Sequence, residues 1–274
     1  MDFALSTYLF INERLNSHIL DRILGQGIRQ VEIFAARHHF DYHDPNYVRD
    51  VAQWFADHGV VLHSVHAPLY ADGQWGNKGG LALSVAYTEK RQRIESMEEI
   101  KRAIEIAEQL PFRYLVVHLG LADEEYELQK FDAAFSSIEH LKIYAKERGA
   151  QILLENIPNQ LSAPERLVHF IQYTRLEDVK ICFDTGHAHM TGGVQSAFQT
   201  LKDRIASTHI HDNRREKDDH LLPFEGDIDW ERTVRDFRAL GGQFPFLFEL
   251  RDYGPEVTSL ARVREVIERM EAIR

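Results

Sequence analysis

The sequence predicts a single-domain α/β protein, a (β/α)8 TIM barrel that spans residues 1–274. Short apolar runs rich in β-branched and aromatic residues recur along the chain, each is followed by a longer segment of helical periodicity, and no Pro- or Ser-rich linker intervenes. Strands buried on both faces have continuous apolar sequences, and strands that alternate with helices form a parallel sheet. Eight such units in one chain predict closure into a barrel.

The predicted strands follow the apolar runs in chain order. They cover residues 3–8, 31–35, 60–66, 114–119, 151–156, 179–184, 205–210 and 245–250. Residues 87–110 and 131–149 show the three- and four-residue spacing of amphipathic helices. Gly59, Gly149 and Gly241–Gly242 lie where helices are expected to end. A doubly wound open sheet is the alternative, but no Gly-rich phosphate loop follows the first strand.

Charge and cysteine content argue against several classes of protein. The 32 Lys and Arg residues and 43 Asp and Glu residues give a formal net charge of -11. This charge repels a nucleic-acid backbone unless a basic patch or a bound metal reverses the local field, so nucleic acid is disfavoured as a partner. Cys182 is the only cysteine, which excludes an intrachain disulfide and a thiolate metal site. Its apolar neighbours predict a small core residue.

The sequence also bears on location. Residues 1–10 contain Asp2 and no basic stretch ahead of a long apolar one, so a secretory signal is not predicted. No window approaches the roughly 18 consecutive apolar residues of a membrane span. We therefore expect a soluble, cytoplasmic protein with no membrane partner.

Six of the predicted strands end in, or are closely followed by, residues of the types that bind metal ions. The carboxyl ends of barrel strands surround one mouth, so these side chains are expected to face one cavity. The nine oxygen or imidazole donors are His66, His118, Glu155, Asp184, His187, His209 and Glu249 at strand ends, and Asp218 and His220 in the loop after the seventh strand.

The carboxylates among these donors favour a metal site. Glu155, Asp184 and Glu249 would lie near the barrel interior, where an ionised group costs several kcal/mol unless it is paired or metal-bound. The nearest basic residue, Arg251, should point the other way along its strand. A single histidine at a strand end is commonly part of hydrogen-bonded structure, but the mixed set suits Zn, Mn, Fe or Co better than Ca. We expect Mn or Zn, with Mg, Co and Fe as alternatives.

The stretch "DTGHAHMTGG", which follows the sixth strand, is hard to explain by packing alone. Asp184 and His187 would sit on a turn that brings both donors to one ion. Gly192 and Gly193 would let the backbone turn away and enter a helix. His189 is interpreted as a structural residue or a support for a ligand.

Six motifs resemble those of one known superfamily. "SVHAPL", "VVHLG", "LLEN", "CFDTGHA", "HIHDN" and "DDHLLPFEGDIDW" occur between residues 31 and 251. They are similar to motifs of the xylose isomerase-like TIM-barrel superfamily, which contains sugar isomerases and epimerases together with the endonuclease IV group of DNA repair enzymes. The resemblance extends the barrel assignment to a xylose isomerase-like barrel over residues 1–274.

The sugar-modifying branch implies one divalent ion. It is held at the positions of Glu155, Asp184, His209 and Glu249. By this resemblance one glutamate removes a proton from the carbon between two ketose oxygens and the other returns it, which makes an isomerase or epimerase of a sugar or sugar phosphate. The catalytic assignments are Glu155, Glu249 and His187, and the substrate-binding assignments are His66, His118, Arg215 and Trp75. Related barrels often pair through their outer helices, so a homo-oligomer is left open.

The repair branch implies three zinc ions. It adds His66, His118, His187, Asp218 and His220 to the ligands, and all nine positions are filled here. Net charge, a single Arg in loop 34–43 and Phe224 in place of a glycine favour the sugar branch. Phe40, Tyr42, Trp75 and Phe224 are expected on mouth loops, where they could stack on a sugar or wedge into DNA. A non-catalytic metal-binding barrel is a third alternative, against which both glutamates argue.

Overall fold

The computed structural model describes residues 1–71, 81–241 and 244–273. The strands are β1 (Phe3–Ser6), β2 (Gln30–Phe34), β3 (Val61–His66), β4 (Tyr114–His118), β5 (Gln151–Glu155), β6 (Lys180–Asp184), β7 (Ile205–His209) and β8 (Phe246–Phe248). The α-helices are α1 (Ser17–Leu24), α2 (Pro45–His58), α3 (Lys90–Glu105), α4 (Leu128–Lys146), α5 (Pro164–Thr174), α6 (Thr185–Thr191), α7 (Val194–Leu201), α8 (Trp230–Ala239) and α9 (Leu260–Ala272). Short 3-10 helices cover Thr7–Phe10, Ile106–Glu108 and Lys202–Arg204. None of the helices in these ranges combines the length and apolar composition that crossing a bilayer requires.

The strands close into a barrel. Each strand from β1 to β7 lies beside its sequence neighbour in parallel orientation, and β8 pairs with β1. The seam between β7 and β8 is closed by a parallel bridge between Ile210 and Phe248. At this seam the Ile210 N–H donates to Leu247 O at 2.7 Å, and the Glu249 N–H donates to Ile210 O at 3.2 Å. The predicted (β/α)8 barrel is confirmed, and the open-sheet alternative is wrong.

Predicted and observed strands differ chiefly at their ends. The first strand stops at Ser6 because Thr7 begins a 3-10 turn, whose Tyr8 N–H donates to the Ser6 hydroxyl at 3.3 Å. The eighth strand shortens to Phe246–Phe248. Pro245, where that strand was predicted to begin, has no N–H to contribute to a ladder.

Helix α2 illustrates how local sequence sets the helix ends. The Asp44 carboxylate accepts from the N–H groups of Asn46 and Tyr47 at 3.0 and 3.2 Å, which satisfies two amides that have no partner inside the helix. Pro45 occupies the first turn, where a missing N–H costs nothing. The helix ends at Gly59 in the left-handed conformation (φ 60°), as expected.

Side chains on either side of the barrel wall form separate apolar layers. Val116, Leu153 and Cys182 belong to a small cluster apart from the main core. Their sequence neighbours, such as Leu154 and Phe183, belong to the large core that includes the helices. This alternation is the period of a strand. Cys182 is fully buried, as predicted, and burial raises the pKa of its thiol.

His39, in the loop after β2, is a buried histidine outside the barrel mouth. Its Nδ1–H donates to the carbonyl oxygen of Glu13 at 2.6 Å. Burial lowers the pKa of His39 to about 4. The ring is therefore neutral in the folded chain at neutral pH.

His39 should make the fold less stable in mild acid. An unfolded histidine titrates near pH ~6.5, so between about pH 6.5 and 4 the unfolded chain binds a proton that the folded chain excludes, and stability falls as the pH falls. At pH 5 the loss from this residue is about 2 kcal/mol. Urea unfolding of metal-free protein at pH 7 and pH 5 should show a smaller loss for His39→Asn. The exposed His140→Asn is the matched control. Equal losses in wild type and His39→Asn would contradict the assignment.

Candidate metal centre at the barrel mouth

The nine predicted donors lie together at the carboxyl-terminal mouth, in three groups that contact one another. The central group is Glu155, Asp184, His209 and Glu249. The paired-histidine group is His66 and His118 with Glu155. The loop group is His187, Asp218 and His220, and a ring nitrogen of His211, which the sequence did not predict, lies within 4.8 Å of their donor atoms. Glu155 belongs to two groups, so it lies at the middle of the whole arrangement.

The central group surrounds one imidazole nitrogen. His209 Nδ1 lies 3.4 Å from Glu155 Oε2, 3.5 Å from Glu249 Oε2 and 3.8 Å from Asp184 Oδ2. All four side chains are buried. Ligands about 2.1 Å from a tetrahedral ion lie about 3.4 Å from one another, so these separations suit donors that share an ion.

Glu32 supports the central group, and sequence reasoning missed it. It is fully buried on β2, and His209 Nε2 lies 3.2 Å from its carboxylate. Ser64 donates to the same carboxylate at 2.7 Å. The Nε2 proton of His209 therefore goes to Glu32, which turns Nδ1 toward the central group. A charged residue inside the apolar run "QVEIF" was the signal available in the sequence.

The paired-histidine group brings two imidazoles against one carboxylate. His118 Nε2 lies 3.1 Å and His66 Nε2 lies 3.5 Å from Glu155 Oε2. The two Nε2 atoms are 3.2 Å apart. His66 Nδ1–H donates to Ala67 O at 2.8 Å, so in the neutral ring Nε2 is the unprotonated nitrogen. That tautomer offers a lone pair to a cation.

The loop group gathers around Asp218. His220 Nε2 and His187 Nε2 lie 2.9 and 3.3 Å from Asp218 Oδ2. The Nδ1–H of His220 donates to the backbone oxygen of Glu249 at 2.9 Å, which fixes the ring. His187 lies in α6, whose start is capped by the Asp184 carboxylate through the His187 N–H at 2.7 Å. The strand-end aspartate therefore also places the histidine three residues later.

Charges at the mouth compensate one another. Burial alone would raise the pKa of Glu155, but the imidazoles of His209 and His118 outweigh it and hold that pKa well below its usual range. Burial would lower the pKa of His220, but Asp218 raises it to about 9. Glu155 is therefore ionised, and a cation that bound here would compete with imidazole protons.

Unpaired polar atoms provide a test of whether an ion fits. Among the described residues, His187 Nδ1, His209 Nδ1 and Asp218 Oδ1 are buried and make no hydrogen bond. His187 Nδ1 nevertheless lies only 3.1 Å from Glu155 Oε1. Buried polar atoms are as a rule paired, and cations held by the central group and the loop group would give these atoms partners. The residues therefore fit a divalent ion.

The donors open into a cavity of about 110 Å³. It is lined by Tyr8, Phe34, Leu69, His66, His118, Glu155, His187, Asp218, His220 and Glu249. Phe34 stacks on His66 with ring centroids 4.3 Å apart. Burial raises the pKa of the Tyr8 hydroxyl, and the nearby Arg251 guanidinium opposes this effect. The expectation that Arg251 points away from the mouth was wrong, because residues two apart on a strand share a face. In the described chain, Glu249 forms its ion pairs with His209 and His220. The cavity thus has aromatic walls beside its polar floor.

The aromatic residues expected on the mouth loops do not line this cavity. Phe40 is fully buried in the core, and the Tyr42 hydroxyl donates to Glu99 of α3 at 2.7 Å. Phe224 lies beneath the Arg269 guanidinium of α9, 3.7 Å from its ring centroid. The expectation was wrong for these three because both loops pack back onto the helix layer. Tyr8, from the 3-10 turn after β1, and Phe34, from the end of β2, occupy the place assigned to them.

Three other residues were given roles at the site from the sequence: Arg215, Trp75 and His189. Arg215 is exposed on the loop after β7 and is not among the residues that line the cavity. Trp75 lies outside the described residues. His189 Nδ1 contacts Asn213 Oδ1 at 2.8 Å, which is the structural role expected of it.

The sequence matches one known protein family over most of its length. Residues 20–273 match the family model described as xylose isomerase-like TIM barrel. The chain belongs to this family. The uncharacterized protein y4fM of Sinorhizobium fredii is 34% identical over 214 residues, which cover 71% of this chain and 68% of that protein. The uncharacterized protein MJ1311 of Methanocaldococcus jannaschii is 27% identical over 278 residues, with 98% and 90% coverage.

Solved structures of xylose isomerase-like barrels share the fold. A D-tagatose 3-epimerase-like protein superposes with a TM-score of 0.80 at 24% identity, covering 100% of this chain and 98% of its own. An IolI protein with a bound zinc atom has a TM-score of 0.76 at 17% identity, with 99% and 96% coverage. An AP endonuclease of family 2 from Brucella melitensis has a TM-score of 0.73 at 16% identity, with 92% and 94% coverage. The neighbours thus include an epimerase-like protein and an AP endonuclease of family 2.

The loop that carries Asp218 and His220 is folded around a buried carboxylate. Asp212 accepts from the Asn213 and Ile228 N–H groups at 2.9 and 3.2 Å, and from the Phe224 N–H and Trp230 Nε1–H at 3.0 and 2.7 Å. These four donors span the loop from its start to α8. The motifs "HDN" and "FEGDIDW" therefore belong to one structural unit, which is joined by the hydrogen bond from Trp230 to Asp212.

Replacing Asp212 should loosen this loop. Asp212→Asn keeps the shape but exchanges one acceptor oxygen for a donor that faces N–H groups, so we expect a loss of about 2–4 kcal/mol in the free energy of unfolding. Urea unfolding of the metal-free protein measures it, and limited proteolysis should cut the loop faster. Asp227→Asn, an exposed aspartate of the same loop, is the matched control. Equal stability of the two variants would rule out the role given to Asp212.

Proposed function

We propose that this xylose isomerase-like barrel is a divalent-metal-dependent isomerase or epimerase of a sugar or sugar phosphate. The observation that carries the proposal is the placement of two glutamates around one imidazole. Glu155 on β5 and Glu249 just beyond β8 come from strands that are separated by β6 and β7, and both carboxylates contact His209 Nδ1. A bound substrate would therefore meet a carboxylate from two directions.

The resident cofactor would be Mn or Zn, with Mg, Co or Fe as alternatives. Glu155, Asp184, His209 and Glu249 would hold it. When bound, such an ion supplies Lewis-acid polarisation of the carbonyl and hydroxyl oxygens of a ketose. The unpaired nitrogens of His209 and His187, and the mixed carboxylate and imidazole donors, support this fit.

The protein side chains would move the proton. One of the two carboxylates, Glu155 or Glu249, removes the proton from the carbon beside the carbonyl, and the other returns a proton from its own direction. The low pKa of Glu155 keeps it ionised and able to accept. His187, which lines the cavity 3.1 Å from Glu155 Oε1, is placed to hydrogen-bond a substrate hydroxyl.

The cavity walls suit a small polyhydroxylated molecule. His66 and His118 face the cavity with imidazole nitrogens, and Tyr8 and Phe34 supply aromatic surface that a sugar ring can cover. Apolar walls also exclude water from the proton-transfer path. A volume of about 110 Å³ fits a small molecule or a single unit of a larger one.

A phosphodiesterase acting on abasic DNA is the second candidate. The specific observation in its favour is that the paired-histidine and loop groups are complete beside the central group. The AP endonuclease among the structural neighbours agrees with it. The net charge of -11 opposes it.

Deuterium exchange tests the proposed function directly. The protein loaded with Mn or Zn, incubated with a panel of ketoses and ketose phosphates in deuterated water, should introduce deuterium at the carbon beside the carbonyl, detected by NMR. Glu155→Gln and Glu249→Gln should each slow exchange by about 100-fold or more, because each removes a proton-transfer group. Glu99→Gln, a buried glutamate away from the mouth, is the control. No exchange with any sugar, together with cleavage of an abasic oligonucleotide, would favour the second candidate.

Glu32 should set the metal affinity. Glu32→Gln weakens the acceptor of the His209 Nε2–H, so the affinity for Zn²⁺ should fall by about 10- to 100-fold. Calorimetric titration of the metal-free chain with Zn²⁺ measures this, again with Glu99→Gln as the control. An unchanged affinity would remove Glu32 from the site.

A further inference from the structure

His211 lies in the middle of the site, yet none of the roles above uses it. It follows His209 by two residues in "HIHDN" and is fully buried. Its Nε2 lies 3.0 Å from Asp184 Oδ2. Its ring stacks on the His220 ring, with centroids 4.0 Å apart and planes 14° apart. It thus contacts Asp184 of the central group and His220 of the loop group, and its Nε2 also lies 3.9 Å from Asp218 Oδ1.

The hydrogen bonds of His211 assign its tautomer. Nε2 faces a carboxylate, whereas Nδ1 has no hydrogen-bond partner among the described residues. In the neutral ring the proton therefore belongs on Nε2, which donates to Asp184. A metal-ligating histidine normally donates its other ring N–H to an acceptor, and Nδ1 lacks one. His211 is thus suited to orient a ligand rather than to be one.

Asp184 is held at several atoms, of which His211 supplies one contact. Its Oδ1 accepts from the His187 N–H at 2.7 Å, and its N–H donates to Asn156 Oδ1 at 2.9 Å. The His211 contact fixes Oδ2, the oxygen that also lies closest to His209. Thr185 anchors the His211 backbone, since its hydroxyl contacts both the N–H and the carbonyl of His211 at 3.1 and 2.9 Å.

Gly186 makes room for the His211 ring. A methyl group at Gly186 would overlap Cε1 and both ring nitrogens of His211. Gly186 lies inside α6 without a positive φ, so its backbone does not require glycine. Helix propensity would favour alanine there. The glycine of "DTGHA" is therefore explained by the ring it faces.

We propose that His211 is a positioning residue that fixes Asp184 in the central group and supports His220 in the loop group, and that Gly186 is small in order to admit its ring. The inference rests on the proposed function only in that the central group holds a divalent ion. Removing the His211 donor frees Asp184 Oδ2 to rotate, so ion binding weakens even where the fold is intact.

Two substitutions at His211 distinguish the loss of its N–H donor from the loss of its side-chain volume. His211→Gln can place an N–H near the position of Nε2, whereas His211→Leu fills space without a donor. Titration of metal-free protein with Zn²⁺ alone should give an affinity about 10- to 100-fold weaker for Leu and within about threefold of wild type for Gln. The absorption spectrum of the Co²⁺ form should change in Leu and not in Gln. Wild-type affinity in Leu, or equal losses in both variants, would overturn the proposal.

A double-mutant cycle tests the pairing with Gly186 even if one His211 variant is unstable. Gly186→Ala should weaken Zn²⁺ binding by about 10-fold or more in the wild-type chain, and by less than about twofold in a His211→Ala background, where the overlap is gone. Equal effects in both backgrounds would overturn the pairing. Thermal unfolding of the metal-free forms separates a folding defect from a loss of ligand orientation. No sugar enters these titrations, so a negative result in the deuterium-exchange assay leaves their outcome intact.

Discussion

Four carboxylates, those of Glu32, Glu155, Asp184 and Glu249, are buried together at the top of the barrel interior. Ionised groups attract and repel one another strongly where water is excluded, and unbalanced negative charge of this kind would be severely destabilising. Imidazoles are the positive groups within ion-pair distance of them in the described chain. The alternation of carboxylate and imidazole around the mouth follows from this balance, and His209 stands at its centre between Glu32 and the other three.

The need for charge balance at the mouth also explains residues that do not line the cavity. Asn156 donates to the carbonyl of Asp184 and accepts from its N–H, both at 2.9 Å, so the end of β6 is locked to the end of β5. Asp212 organises the loop that presents Asp218 and His220. A site that depends on charge balance needs such rigid supports, because small shifts of one carboxylate alter the energy of all the others.

The fold and most donors could be predicted from sequence because both depend on short-range patterns. Continuous apolar runs located all eight strands, and the topology of a barrel then placed the strand-end residues at one mouth. Glu32 was missed because one acidic residue inside an apolar run looks like an exception to burial. His211 was missed although residues two apart on a strand share a face, which puts it beside His209.

The aromatic residues show the limit of sequence reasoning. Phe40 and Tyr42 belong to a loop whose path depends on long-range contacts such as the one between Tyr42 and Glu99. No local periodicity distinguishes a loop that covers the mouth from one that folds over the helices. Phe34 and Tyr8, which do line the cavity, lie at the end of β2 and two residues beyond β1, where the barrel topology largely decides position.

The junction between β7 and β8 affects how firmly the barrel is closed. Among the described residues it is held by the backbone bonds around Ile210 and by the Thr208 hydroxyl, which donates to Pro245 O at 2.8 Å and accepts from the Leu247 N–H at 3.2 Å. His209 projects from one edge of this junction and Glu249 from the other. A cation held by both residues would link the two edges of this junction, so its occupancy and the resistance of the barrel to opening there would be coupled.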